Sequence, residues 1–181
     1  MTISTSALQQ KNAKHLIQSF SDLSYINNPQ ETHIISRADG VYIYDNDGKK
    51  ILDSMSGLWC VNMGYGQQSI IKAVNEQMKE LVYYNNFFGS SHPSAIKLSE
   101  MIADITPEGM NKVYFCGSGS EANDTVVRLT RHYWAARGKP SKSVIISRTN
   151  AYHGSTMAGA SLGGMSAMHA QGGLPIPDIE H

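Results

Sequence analysis

The sequence predicts an α/β fold, and three observations carry that prediction. Residues 113–137 begin with a short β-prone run, "VYFC", pass through a small-residue turn and continue as an apolar-periodic segment, the order strand, turn, helix. A second buried-type strand, "SVIIS" at 143–147, follows at once, and helical pattern resumes after Gly154. Strand, helix and strand at this spacing predict a parallel pair with a right-handed crossover.

In chain order, the first forty residues read as a mostly helical start followed by irregular chain. Residues 41–53, "VYIYDNDGKKILD", alternate apolar and polar on both sides of Asp47–Gly48, a β-hairpin signal because Asp-Gly accepts the positive φ of a tight turn. The glycine-punctuated "SGLWCVNMGYG" has little regular pattern. Ile70, Ile71, Val74, Met78 and Leu81 then share one helical stripe over 68–81, and the pattern returns from Pro93 to Ile105. The last stretch, "HAQGGLPIPDIEH", reads as a Gly/Pro-rich linker. Residues 1–60 are expected to form an amino-terminal segment of a small domain with the hairpin, and 61–181 the start of a large domain, cut short.

Composition narrows the function. The 181 residues hold fifteen basic and fifteen acidic side chains, so no net field draws nucleic acid or an anionic membrane. Cys60 and Cys116 stand far apart, the pattern of two thiols in a reducing cytosol, and a cytoplasmic location is expected. The amino-terminal twenty residues lack the apolar core of a signal peptide, and no run has membrane-spanning length. The seven histidines show no metal-ligand spacing, so no metal is expected. Met157, Met165 and Met168 read as packing.

The turn "GSGSEAND" (117–124) invites a phosphate. Ser118 and Glu121 make a capping-box signature. The helix start offers unpaired amides and a positive dipole end, Gly119 allows close approach, and the Ser120 hydroxyl can donate one more bond. Taken alone, the turn is explained by capping. Gly117, Gly119 and Ala122 also fit the G-x-G-x-x-A dinucleotide fingerprint. The second strand, however, runs into Arg148, Thr149 and Asn150, with no acid for ribose hydroxyls. Arginine suits a 2′-phosphate, which leaves an NADP-type oxidoreductase domain as an alternative.

Four motifs in one order decide the matter: "LDSMSGLW" at 52–59, "YYNNFFGSSHP" at 83–93, "SGSEAND" at 118–124 and "NAYHGST" at 150–156. From about residue 39 onward the chain resembles the class III pyridoxal-phosphate aminotransferases, in their ω-aminotransferase branch, whose acceptor is often pyruvate. The resemblance implies a fold-type I transferase of the aspartate-aminotransferase-like kind. It implies that Ser118, Gly119 and Ser120 hold the cofactor phosphate, that Tyr152 stacks on the pyridine ring, and that His153 and Gly154 complete the turn beside it. It further implies that Trp59, Phe87 and, less directly, Phe88 wall an apolar substrate pocket, that the Tyr152 phenol also meets the substrate at its reacting end, and that the 87–88 segment reaches toward a partner subunit's site in a homodimer. Alternatively these aromatics are core filler, and "AYHG" an ordinary loop.

In that family the lysine that carries the cofactor and the carboxylate that meets the ring nitrogen lie downstream of the YHG motif. Lys139 and Lys142 flank Pro140 in a loop and read as solvated charges. No catalytic residue is therefore expected in these 181 residues, nor activity from this chain alone; a non-catalytic short paralogue remains a further alternative. The expected reaction moves an amino group from a primary amine or ω-amino acid to a keto acid.

Overall fold

A computed structural model describes residues 3–181; the first two residues of the expected amino-terminal segment lie outside the described residues. The chain divides into two compact units, Met1–Ser90 and Ser91–His181.

In the first unit, helix α1 (Thr5–His15) starts at Ser4, whose hydroxyl accepts from the Ala7 amide at 3.3 Å. Its first turn is tied to the hairpin: the Thr5 hydroxyl donates to Asp47 at 2.6 Å, and the Asn46 amide group donates to Thr5 at 3.0 Å. Two 3-10 turns, Leu23–Ile26 and Pro29–Glu31, follow. The expected irregular chain before residue 41 contains a strand. β1 (Ile35–Asp39) pairs antiparallel with β2 (Tyr42–Asp45), which pairs with β3 (Lys50–Leu52). The β2–β3 hairpin turns through Asp47–Gly48 as expected, closed by the Asp45 amide on the Lys49 carbonyl at 3.1 Å. The sequence hid β1 because "ISRAD" carries a bulge between Ile35 and Arg37 that breaks the alternation.

After β3 comes α2 (Ser56–Trp59), a single turn of unusual hand described below. Helix α3 (Gln68–Glu80) forms where the stripe predicted it, and its apolar face, Ile70, Ile71, Val74 and Met78, is exposed.

The second unit holds the buried apolar side chains Val127, Ala158, Ala160, Met168 and Ile179. Helix α4 (Pro93–Ile105) begins on proline, favoured at a first helical position. Helix α5 (Gly119–Ala136) is followed by β4 (Ile145–Ile146), α6 (Met157–Leu162), α7 (Ser166–His169) and β5 (Ile179–Glu180).

Two expectations are corrected here. Residues 113–116 are not a strand: they join no ladder among the described residues, and Tyr114 and Phe115 are exposed. β-propensity measures fit to a paired, half-buried surface, and here no neighbour supplies one. The parallel partner of β4 is instead β5, in the segment expected to be a linker. Ile179 is only 4% exposed, and Arg131 of α5 donates to the carbonyls of Ser143 and Pro177 at 3.1 and 2.7 Å, fastening both strands to the helix. Glycine and proline predicted loop correctly up to Pro177; burial of one isoleucine made the rest a strand. Among the described residues no helix is long and apolar enough to cross a membrane.

Candidate cofactor and substrate site

Three loops, with the Phe87–Phe88 segment as a fourth, carry the residues singled out in the sequence. The first is the start of α5. Ser118 caps the helix, its hydroxyl accepting from the Glu121 amide at 3.1 Å. Glu121 reaches back as a capping box would, yet its carboxylate accepts from the Gly117 amide, at 2.7 Å, one residue earlier than the usual partner. As in any helix, the first-turn amides at Gly119 and Ser120 have no carbonyl four residues back, and the dipole adds positive potential. A Cβ built on Gly119 meets nothing within 4 Å, so the space over the helix start is open.

The second loop, 150–156, lies directly against the first. Gly154 is buried, with φ +120°, and a Cβ there would stand 2.5 Å from Ser120 Oγ and 2.8 Å from Ser120 Cα. Only glycine permits this approach. The Ser155 amide donates to Ser120 Oγ at 3.1 Å, and the Asn123 side chain donates to the His153 carbonyl at 2.6 Å. Asp124 accepts from the Thr156 hydroxyl and, at 3.0 Å, from the Gly159 amide at the start of α6. Ser118, Gly119, Ser120, His153 and Gly154 are thus brought together, and Tyr152, next to His153 in the chain, is 57% exposed.

Asn123, Asp124 and Thr156 were not singled out in the sequence, though a signal existed. Asn and Asp are poor helix formers, and two of them inside the first turns of a helix suggest side chains bonded elsewhere.

The third loop carries Trp59. Four consecutive residues, Ser56, Gly57, Leu58 and Trp59, have φ of +49°, +58°, +66° and +65°. They form one left-handed turn, closed by the Trp59 amide on the Met55 carbonyl at 2.8 Å and the Cys60 amide on the Ser56 carbonyl at 2.9 Å. This hand costs a non-glycine residue roughly 1–2 kcal/mol, and three of the four are not glycine. Asp53 offsets part of that cost. Its carboxylate accepts from the Met55 amide at 3.2 Å, the Gly57 amide at 2.8 Å and the Tyr65 hydroxyl at 2.7 Å. The Tyr65 bond, joined by the amides of Gly57, Met55 and Ser56 and opposed by partial desolvation, holds the Asp53 carboxyl below the usual carboxylate range. The same bond, with desolvation and the nearby negative charge, raises the Tyr65 phenol.

Trp59 is 81% exposed at the end of this turn. Phe87 is exposed too; its amide donates to Asn85 at 2.9 Å, and its ring centroid lies 6.0 Å from that of Phe88, which is fully exposed. None of the three aromatics is core filler within the described chain.

Comparison with known proteins places this arrangement. The model of the family described as aminotransferase class-III matches residues 25–181. The chain belongs to the class III aminotransferase family. Its relatives agree. A putrescine–pyruvate aminotransferase of Pseudomonas aeruginosa is 56% identical over 167 residues, which are 92% of this chain and 36% of that protein. The solved ω-transaminase of Pseudomonas jessenii in complex with PMP superposes with a TM-score of 0.91 at 38% identity, covering 96% of this chain and 38% of that one. A thermostable variant of that transaminase with a tryptophan replaced by glycine, engineered for asymmetric synthesis of enantiopure bulky amines, gives the same TM-score and identity, with 96% of this chain and 38% of the variant covered. The chain therefore spans little more than a third of the length of these relatives, and its fold is the corresponding part of a fold-type I transaminase. The family match does not favour the dinucleotide alternative for Gly117, Gly119 and Ala122.

Proposed function

We propose that this chain supplies the phosphate-binding and ring-covering side of a pyridoxal-phosphate aminotransferase that moves an amino group from a primary amine or ω-amino acid to a keto acid such as pyruvate. The observation that carries this reading is the contact of Gly154 with Ser120, which sets the 150–156 loop directly against the helix start, with open space above Gly119. That arrangement fits the cofactor. The amides at Gly119 and Ser120 and the Ser120 hydroxyl would hold its phosphate, Ser118 and Glu121 keep the helix start in shape, and Tyr152 would cover the ring. Bound pyridoxal phosphate supplies the electron-withdrawing ring that stores the amino group between donor and acceptor.

Trp59 and Phe87 would exclude water from the donor's substituent and limit its size. The Pseudomonas aeruginosa relative's name supports a diamine donor and pyruvate as acceptor, and the tryptophan-to-glycine variant supports an aromatic wall. A cytoplasmic homodimer is part of the same reading, supported by the exposed apolar stripe of α3, which a second copy or further chain would cover. So is the assignment of residues 1–60 to a small domain and 61–181 to the start of the cofactor-binding domain.

The test is retention of pyridoxal phosphate by the protein expressed from its own gene, followed by absorbance through gel filtration. Ser120→Glu places a carboxylate at the phosphate position and is expected to abolish retention. Unchanged retention would overturn the assignment of this surface.

A further inference from the structure

The left-handed turn at Ser56–Trp59 raises a question that the cofactor site does not answer: what keeps it left-handed? Its own backbone bonds do not suffice, since a right-handed turn would make equivalent ones without the steric cost. Asp53 is the residue placed to decide. It sits just before the turn and accepts from two amides, that of Met55 ahead of the turn and that of Gly57 inside it. Its third partner, Tyr65, lies after the turn, so the carboxylate joins entry to exit.

Both ends of this junction are moored to the sheet. The Asp53 amide donates to the Val41 carbonyl at 3.0 Å, while Tyr65 and Gly40 exchange two backbone bonds, at 2.7 and 3.3 Å. The turn is thus a loop closed by a carboxylate–phenol bond at its neck, with that neck fixed to the β1–β2 connection. Gly57 is fitted to the neck: a Cβ there would stand 3.0 Å from both Tyr65 Oη and Val61 Cγ2.

We propose that Asp53 and Tyr65 are positioning residues for donor specificity, a clamp that holds the 56–59 turn left-handed and so fixes the direction in which Trp59 is presented. The proposal rests on the reading of Trp59 as a wall of the substrate pocket. It differs from that reading in placing the determinant of the wall's position in two polar residues that need not touch substrate. Loss of either clamp residue frees the turn to relax and Trp59 to swing, while the fold of the other unit stays as it is. Asn at 53 cannot replace Asp, because its single oxygen serves only one side: turned toward Gly57 and Tyr65 it sets its NH2 group against the Met55 amide, and turned toward Met55 it sets that donor against the Gly57 amide.

The test uses the protein expressed from its own gene and labelled with 5-fluorotryptophan, with the Trp59 and Trp134 fluorine resonances assigned by Trp59→Phe and Trp134→Phe. Trp134 lies on α5 in the other unit and reports on folding there. Asp53→Asn is expected to displace or broaden the Trp59 resonance with Trp134 unchanged, and Tyr65→Phe, which removes one hydroxyl, to do so to a lesser degree. In turnover, Asp53→Asn is expected to change the ratio of kcat/KM between an aryl amine and a linear diamine by about tenfold, mainly through KM. A merely structural role would lower activity toward both donors alike. A Trp59 resonance unmoved in both variants overturns the clamp. If Asp53→Asn also moves Trp134, Tyr65→Phe decides by the same criterion. Trp59→Ala separates the two ideas: an unchanged donor ratio in that variant removes the wall reading, whatever the fluorine spectra say of the clamp.

Discussion

The region around Ser120 and the region around Trp59 solve opposite problems. At Ser120 two loops are sewn face to face: Asn123, Asp124 and Ser120 of one helix each bond the 153–159 segment, and Gly154 is buried against them. At Trp59 the side chain itself is exposed, and its direction is set by backbone geometry and a carboxylate beneath it. A small, strongly charged group such as a phosphate is held by fixed amides, which demand close packing. A varied apolar substituent is met by a large surface, which demands only that the surface be aimed. The first region tolerates little change in volume, and the second little change in hydrogen bonding.

Variants should separate the regions on that basis. The largest effect is expected at Gly154: Gly154→Val forces a branched side chain onto Ser120, costing roughly 1–3 kcal/mol by overpacking, with backbone strain at φ +120° in addition. A lowered denaturant midpoint and lost pyridoxal-phosphate retention would be measured together. Asp124→Ala leaves the Gly159 amide and the Thr156 hydroxyl without their acceptor, a cost of about 1–3 kcal/mol, read by the same denaturation. Equal stability of that variant and the parent would show that the two loops are not held as described. Ser118→Ala removes a cap worth about 1 kcal/mol and should weaken retention of the cofactor without disturbing the Trp59 fluorine signal.

The pH dependence belongs to the second region. The Asp53 carboxyl is lowered in the folded chain, so its contribution is present above the unfolded carboxylate pKa and is lost as pH falls through the folded value. The raised Tyr65 phenol contributes below the unfolded phenol pKa and is lost as pH rises through its folded value. The Trp59 resonance is therefore expected to stay constant across neutral pH and to move only below the ordinary carboxylate range and above the ordinary phenol range. A shift centred near neutrality would contradict the clamp.

How far these features were legible in advance varied with their range. The capping turn, the hairpin at Asp47–Gly48 and the helices over 68–80 and 93–105 follow from neighbours in sequence, and all formed where the pattern put them. The motifs also name Ser118 to Ser120, Tyr152 to Gly154, Trp59 and Phe87, and the structure sets Gly154 against Ser120. The strand at Ile35–Asp39 was hidden by its bulge, Asp53 read only as the end of the hairpin, and Tyr65 stood in a segment whose pattern was neither helix nor strand.

The sequence by itself determined which residues start helices, where the tight turns fall and which family's motifs the chain carries, because capping, periodicity and turn chemistry act over a few residues. Only the tertiary structure decided that 113–116 would stay outside the ladders while Ile179 entered one, that Gly154 would close on Ser120, and that Ser56–Trp59 would wind to the left. Each of those outcomes depends on a partner at least eight positions away in sequence or on several backbone bonds acting together. A residue's own preference does not encode such a partner; only the folded chain brings it within hydrogen-bonding distance.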